Sequence, residues 1–275
     1  HEFSGTIAAT GHGAGGFAVG DPVVIECIQG CGDCAACLRD DAIACAARRE
    51  MGVMNLDGGY AEFVLAPARA VHRVPPGVSL RAASLAEPLA VVCKGLRRID
   101  PLWGRSSPER RHVAVIGGGA IGTLAALVLK AHGHRPAVFD RDAGRRALLT
   151  KSGLEARGEL AGLGEFDAFI EATGNPDALH AALTGSRPGA AFLLLGFPYD
   201  ERPFSFESLV GFDRTVVGSV GSGSEDFEAA LRLLGRLDVA SLACEVFPLE
   251  DYEKAWAAAR AKGCLKAVLH VDPAA

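Results

Sequence analysis

A run of glycines joins an apolar strand to an apolar helix in the middle of this 275-residue chain. Residues 112–116 predict a strand, residues 120–131 predict a helix, and the glycines stand at their junction. In this pattern the first glycine allows a tight turn, the second lets a pyrophosphate approach the backbone, and the third lets helix and strand pack closely. The free N–H groups of the helix N-terminus favour phosphate. We therefore expect a dinucleotide to bind at Gly117, Gly118, Gly119, Ala120, Ile121 and Gly122.

An acidic residue at the end of the next predicted strand indicates which dinucleotide. Asp140 lies 18 residues beyond Gly122 and follows the strand 136–139. A carboxylate there accepts hydrogen bonds from ribose hydroxyls and repels a 2′-phosphate, so we expect NAD(H) in preference to NADP(H). Arg141 favours NADP(H) instead, because an arginine at this place accommodates a 2′-phosphate. Asp140 also has a purely structural alternative, as a cap for a helix that starts near Asp142.

The pattern on either side of the glycines predicts the domain organisation. Residues 96–244 alternate short apolar strands with amphipathic helices, which indicates parallel strands and an α/β, doubly wound sheet. Residues 1–95 are rich in Gly and Pro and contain short strands, among them 23–25, 62–65 and 71–74, which is typical of a β-rich unit. Residues 245–275 predict a strand, a helix and a last strand.

Four of the eight cysteines lie close together in the first region. They are spaced C-x2-C-x2-C-x7-C within a lobe that spans residues 27–46, and they are Cys31, Cys34, Cys37 and Cys45. Four thiolates close a tetrahedral shell around Zn²⁺, and a shell without an open position is structural. The alternative is four reduced thiols on a flexible loop. The remaining cysteines are scattered and are expected to be small buried apolar residues: Cys27, Cys93, Cys244 and Cys264.

Composition excludes several classes of function. Hydrophobic residues make up 49% of the chain and charged residues 22%, so a packed core is expected and general disorder is excluded. A formal net charge of −5 argues against nucleic acid or an anionic membrane surface as a partner. The longest uncharged run, 113–129, is broken by the glycines, which argues against a membrane span. We find no export signal and expect a cytoplasmic protein.

Taken together, these motifs resemble the zinc-dependent medium-chain alcohol/polyol dehydrogenases. The resemblance covers essentially the whole chain, and its Glu87-Pro88-Leu89 form is most similar to the sorbitol, threonine and glucose dehydrogenase branches. The motifs that carry it are His1-Glu2-Phe3-Ser4-Gly5, Gly20-Asp21-Pro22-Val23-Val24, the cysteine lobe, Asp57-Gly58-Gly59-Tyr60-Ala61-Glu62, Glu87-Pro88-Leu89, the glycine turn and Glu171-Ala172-Thr173-Gly174. The resemblance implies a GroES-like catalytic domain beside a Rossmann domain.

The resemblance also implies roles for individual residues. His1 would be a ligand of a catalytic zinc, with Glu2 as its neighbouring partner or an exchangeable ligand, and Glu87 would be the carboxylate ligand or would hold the zinc-bound water. Arg145 would touch the adenosine ribose, and Lys266 would reach the pyrophosphate. From the residues alone, His1 could equally be a solvated side chain and Glu87 an acid at a helix N-terminus.

The implied function is zinc-dependent hydride transfer between NAD(H) and a small alcohol, polyol, sugar or ketone, in a homodimer or homotetramer joined near residues 215–220. In the family a cysteine ligand precedes the His-Glu pair, so we expect an N-terminally incomplete catalytic domain here. Sequence alone does not place Cys27 or Cys93 near His1. The alternative function is a non-catalytic dinucleotide-binding protein that retains only the structural zinc.

Overall fold

A computed structural model describes residues 1–103, 110–197, 200–201, 203–239, 242–261 and 263–271, with only the backbone of 243 and 244. The prediction for Cys244 therefore lies outside the described side chains. The strands are β1 (Ser4–Thr6), β2 (Pro22–Ile25), β3 (Ile28–Gln29), β4 (Arg49–Met51), β5 (Asn55–Leu56), β6 (Val71–Arg73), β7 (His112–Ile116), β8 (Arg135–Phe139), β9 (Glu155–Arg157), β10 (Ala168–Glu171), β11 (Ala191–Leu194), β12 (Thr215–Gly218), β13 (Ala243–Pro248) and β14 (Lys266–His270). The α-helices are α1 (Leu80–Ala83), α2 (Ala86–Ile99), α3 (Ala120–Ala131), α4 (Ala143–Lys151), α5 (Pro176–Gly185), α6 (Glu207–Val210), α7 (Ser224–Leu234) and α8 (Tyr252–Arg260).

The chain divides into two compact units. The first consists of 1–94, 221–260 and 266–275, and the second of 95–220 and 261–265. The sequence pattern groups residues 221–244 with the alternating region, whereas the structure places them in the first unit. One reason is visible at Phe227, a fully buried ring in α7 that stacks on His72, with 5.4 Å between the ring centroids.

The second unit contains a six-stranded parallel sheet with the order β12-β11-β10-β7-β8-β9. Its central strands are almost continuously apolar because helices cover both faces of such a sheet. The chain runs from β7 to β8 on one side and returns to β10 on the other. The predicted doubly wound α/β fold is confirmed, and the order reverses between β7 and β10, where such sheets bind ligands.

The first unit is built from small sheets. β1, β2 and β6 form an antiparallel sheet. β3, β4 and β5 form a mixed sheet, in which β4 pairs antiparallel with β3 and parallel with β5, and β13 pairs in parallel with β14. The predicted strand over residues 62–65 is wrong: these residues are not in a strand, and the Phe63 and Leu65 side chains are exposed. Within the described part of the chain, no helix is long and apolar enough to cross a membrane.

Removal of one core ring tests the second unit. Phe192 is fully buried and stacks on Phe169 with 4.6 Å between the ring centroids. We expect Phe192→Ala to lower the free energy of unfolding by about 3–5 kcal/mol, because the cavity adds to the lost transfer energy. The control Phe206→Ala removes an exposed ring and is expected to change it by less than about 1 kcal/mol, measured by urea unfolding. If the two variants lowered the free energy of unfolding equally, the burial of Phe192 in this core would be contradicted.

Candidate dinucleotide and metal sites

The glycine turn lies at the carboxyl end of β7, at the position where the strand order reverses. Gly117 has φ +100°, and a Cβ there would lie 2.7 Å from Cγ2 of Thr173. A Cβ on Gly122 would lie 1.8 Å from the carbonyl oxygen of Gly117. Both positions therefore require glycine for packing within the protein itself.

Gly119 differs from these two glycines. A Cβ built on it meets no atom within 4 Å, and its φ of −73° is one that any residue adopts. The protein's own packing therefore gives no reason for glycine here. Gly119 is also the N-cap of α3, where unpaired N–H groups favour anions. The open space and the helix N-terminus together fit a pyrophosphate that approaches the backbone.

Asp140 links the glycine turn to the end of β8. Its buried carboxylate accepts hydrogen bonds from the N–H of Gly118 at 2.8 Å and from the N–H of Asp142 at 2.7 Å. The N-cap of α4 is Asp142, which accepts from the N–H of Arg145 at 2.8 Å. Asp140 is therefore not the helix cap, and its lone pairs lie beside the glycine turn.

The segment Glu171-Ala172-Thr173-Gly174 follows β10 and lies against the turn. The buried carboxylate of Glu171 accepts from the N–H of Thr173 at 2.7 Å and also from the Thr173 hydroxyl. These bonds fix the loop whose Thr173 methyl group touches Gly117. The motif's role in the structure is to hold one wall of the glycine turn.

The two predicted basic cofactor contacts lie in different units. Arg145 begins α4 in the second unit, and its Nη1 lies 3.6 Å from Oδ2 of Asp140. Its Nε is buried and has no hydrogen-bond partner among the described residues. Lys266 lies in the first unit, where it forms an ion pair with Glu2, and burial lowers the pKa of Lys266 to about 8.

The four lobe cysteines converge as a metal site requires. The Sγ–Sγ distances are 3.8 Å for Cys31–Cys37, 3.5 Å for Cys34–Cys37 and 3.6 Å for Cys31–Cys45. A tetrahedral zinc with Zn–S bonds of about 2.3 Å places its sulfurs about 3.8 Å apart. The four residues therefore fit a structural zinc ion.

The surroundings of the lobe support this fit. A Cβ on Gly30 would lie 2.3 Å from Sγ of Cys37, so glycine leaves the room that this sulfur occupies. Arg69 donates to the carbonyl of Gly30 at 2.9 Å, which places a cation at the residue that precedes Cys31. A Zn²⁺ ion with four thiolates carries a net charge of −2, which a neighbouring guanidinium offsets.

A second cluster of metal-ligand atoms lies elsewhere in the first unit. Ligand atoms of His1, Cys27 and Glu87 all lie within 4.8 Å of one another. Glu87 and Cys27 are buried, whereas His1 is exposed. Among the described residues, this cluster and the cysteine lobe are the two groups of three or more such donors.

Local structure places each member of this cluster. His1 precedes β1, and the ring of Phe3 lies over Gly59, where a Cβ would be 2.4 Å from the ring. The Asp57-Gly58-Gly59 motif thus makes room for the segment that carries His1. Glu87 stands in the first turn of α2, and Cys27 lies between β2 and β3.

The electrostatics of this cluster fit a cation. Burial raises the pKa of the Glu87 carboxyl to about 7 and the pKa of the Cys27 thiol to about 12. Burial therefore disfavours the charged form of both groups, and a positive charge bound beside them would favour it. Among the described residues, no hydrogen-bond donor contacts the Glu87 carboxylate, so its oxygens are available to a metal ion.

Cys27 is the residue that sequence reasoning missed. It is buried, as predicted for a small apolar side chain, but it also faces His1 and Glu87. Cys264 is buried as well, and Cys93 is half-buried. Two features of the sequence could have drawn attention to Cys27. It follows a predicted strand, and it is not one of the four lobe cysteines, which already form a complete set of zinc ligands.

The fold and the two clusters define a nucleotide-binding zinc dehydrogenase architecture, and comparisons with known proteins agree. The model of the alcohol dehydrogenase GroES-like domain matches residues 1–76, and the zinc-binding dehydrogenase model matches residues 120–236. Sorbitol dehydrogenase of Halalkalibacterium halodurans is 30% identical over 98% of this chain and 82% of its own. L-threonine 3-dehydrogenase of Bacillus velezensis is 32% identical over 98% and 80%.

Solved structures give the same result. Alcohol dehydrogenase TADH from Thermus sp. ATN1 superposes with a TM-score of 0.86 at 27% identity, over 99% of this chain and 83% of that one. The chain belongs to the zinc-dependent medium-chain alcohol/polyol dehydrogenase family, as the sequence motifs had indicated. The GroES-like and Rossmann fold classes are confirmed.

The contrast between Gly119 and Gly122 gives a test of the dinucleotide site. Gly119→Ala adds a methyl group to open space, so we expect an unchanged melting temperature but at least about tenfold weaker NAD(H) binding. Gly122→Ala forces a contact with the carbonyl of Gly117 and is expected to lower stability as well. Fluorescence titration and thermal unfolding measure both effects. Unchanged NAD(H) affinity in Gly119→Ala would exclude this turn as the phosphate site.

Proposed function

We propose that this protein is an NAD(H)-dependent dehydrogenase that interconverts a small alcohol, polyol or sugar hydroxyl and the corresponding carbonyl. The observation that carries the proposal is that ligand atoms of the exposed His1 and the buried Glu87 lie close together, in a cluster separate from the four lobe cysteines. A metal ion bound there would serve as a catalytic zinc, which keeps one coordination position for water or substrate.

His1 and Glu87 would hold the metal through imidazole and carboxylate. A zinc ion bound there would polarise a substrate hydroxyl and lower its pKa. Glu2 is adjacent in sequence and forms an ion pair with Lys266, which restrains the backbone that carries His1. The Gly59–Phe3 contact restrains the same segment from its other side.

The second unit would supply the redox partner. NAD bound there would supply the acceptor for a hydride from the carbinol carbon, and the hydroxyl proton would leave to water. The protein would position this cofactor through the backbone at Gly119, the N-terminus of α3 and the Asp140 carboxylate. Arg145, whose Nη1 lies 3.6 Å from Oδ2 of Asp140, would contact the adenosine ribose. Contact between Lys266 and the pyrophosphate stays a prediction.

Relatives guide the choice of substrates. The names of two relatives refer to sorbitol and L-threonine, so polyols and hydroxyl-bearing amino acids are the first compounds to test. A cytoplasmic location and a homodimer or homotetramer stay predictions from the sequence. Strand β12 stands at one edge of the six-stranded sheet, which supports pairing between copies at residues 215–220.

Steady-state assays with zinc, NAD⁺ and a panel of alcohols, polyols and hydroxy amino acids test the proposed reaction. We expect turnover of at least one compound, and we expect Glu87→Ala to lower kcat/KM more than about 100-fold. That factor exceeds the usual cost of losing a group that only supports a zinc ligand. The control Glu62→Ala removes an exposed carboxylate and is expected to retain full activity. Tight NAD(H) binding without turnover of any compound would favour the non-catalytic alternative.

Asp140→Asn tests the cofactor preference. Loss of the negative charge weakens hydrogen bonds to the ribose hydroxyls, each worth about 1.5–3 kcal/mol, and removes repulsion of a 2′-phosphate. We expect the KM for NAD⁺ to rise about 10- to 100-fold and the KM for NADP⁺ to fall. Asp167→Asn removes a carboxylate of the same unit that instead bonds the N–H of His112 and serves as the control. A wild-type protein that prefers NADP⁺ would refute the assignment of Asp140.

A further inference from the structure

A cluster of one aromatic and two basic side chains lies in the second unit, at the edge of the parallel sheet where β7 and β8 begin. It consists of Trp103, Arg111 and His134, and we call it the Trp103 cluster. Arg111 immediately precedes β7, and His134 immediately precedes β8, whereas the glycine turn follows the other end of β7. The cluster therefore lies at the opposite edge of the sheet from the proposed dinucleotide site.

The three side chains of the cluster hold one another in place. The guanidinium of Arg111 lies over the indole ring of Trp103, with 4.8 Å from Cζ to the ring centroid. The ring of His134 meets the same indole edge-on, with 5.8 Å between the centroids. Nη2 of Arg111 donates to the carbonyl of Trp103 at 3.2 Å, and the N–H of Arg111 donates to Nδ1 of His134 at 3.4 Å. The arrangement is thus fixed before any ligand binds.

Two N–H groups of the cluster lack an acceptor. Nε1 of Trp103 and Nε of Arg111 are both buried, and neither has a hydrogen-bond partner within the part of the chain that the structure describes. Trp103 is only 5% exposed, so bulk water does not reach its indole N–H. A buried donor without an acceptor is costly, and these two donors therefore favour a ligand that accepts hydrogen bonds.

The charge of the cluster determines the kind of acceptor. The Arg111 side chain is 14% exposed, and the carboxylate that pairs with it, Asp100, lies 3.9 Å away and is 71% exposed. That distance is too long for a hydrogen bond, so the ion pair is weak. Burial and the neighbouring Arg111 lower the pKa of His134, which therefore supplies no counter-charge. A buried guanidinium with a distant and solvated partner favours an anion.

The surroundings of the cluster add to its positive charge. Arg110 and Arg135 are exposed and adjoin Arg111 and His134 in the sequence. A nearby carboxylate, Asp167, is already bonded, since it accepts from the N–H of His112 at 2.7 Å and from Arg187 at 2.5 Å. This edge of the sheet therefore attracts small anions from solution.

We propose that the Trp103 cluster binds a small oxyanion, either phosphate or a carboxylate, at a site separate from that of the dinucleotide. The anion accepts hydrogen bonds from Nε1 of Trp103 and Nε of Arg111 and compensates the guanidinium charge. A buried water molecule is the rival explanation, because water also accepts from both donors. Water, however, leaves the charge of Arg111 uncompensated.

Nuclear magnetic resonance of the full chain, labelled with ¹⁵N in tryptophan, tests this site. The chain has two tryptophans and therefore two indole N–H signals, which Trp256→Phe assigns. Inorganic phosphate and acetate are titrated separately, with ionic strength held constant by sodium chloride. Arg111→Gln removes the proposed contact, and the matched control Arg110→Gln removes the same charge from the exposed neighbouring position. The readout is local to Trp103, so an anion bound elsewhere does not mimic it.

We expect the Trp103 signal to move downfield and to saturate with at least one of the two anions, and the one that acts identifies the ligand as a phosphate or a carboxylate. Arg111→Gln is expected to weaken this binding at least about tenfold, because a hydrogen bond to a charged group is lost. Arg110→Gln is expected to change it less than about threefold, as exposed charges do.

A wild-type Trp103 signal that stays in place with both anions would refute the site and favour buried water. The same conclusion follows if Arg111→Gln responds like wild type. The wild-type titration decides the question even if Arg111→Gln is too unstable to study. Neither outcome bears on the proposed dehydrogenase activity, which depends on other residues.

Discussion

The Glu87 carboxylate is buried without a hydrogen-bond donor among the described residues, and this constraint governs the chemistry of the first unit. A carboxylate in that environment is costly when charged, and burial accordingly raises its pKa to about 7. Folding nevertheless brings an imidazole and a thiol to the same point. A divalent cation bound there would stabilise the charged carboxylate, and its binding energy would offset the cost of burying that group.

In the second unit, the glycine turn depends on positions that carry no side chain. Gly117 and Gly122 are required by the protein's own close contacts, whereas Gly119 leaves space that no protein atom fills. Asp140 then accepts a hydrogen bond from the N–H of Gly118 within the same turn. The turn is therefore rigid before a phosphate arrives, which reduces the entropy that binding must overcome.

Sequence reasoning succeeds where the signal is local. The strand, glycines and helix around Gly119 form one short segment, and so do the four lobe cysteines, so their spacing alone predicts what they do. It fails where the signal comes from distant segments. Nothing near Cys27 in the sequence indicates that it faces Glu87, sixty residues later. Residues 62–65 have strand-like composition, yet Leu65 is exposed and the segment is not in a strand, because pairing depends on neighbours that composition does not reveal.

The two metal clusters have distinct physical roles in this account. The lobe would close four sulfurs around one ion and leave no position for a substrate, whereas a metal ion held by His1 and Glu87 would keep one position for it. The most direct test is anomalous X-ray scattering at the zinc edge from crystals grown with zinc. The account predicts two peaks per chain, one among the four lobe sulfurs and one within bonding distance of His1 and Glu87. A single peak, at the lobe alone, would contradict it.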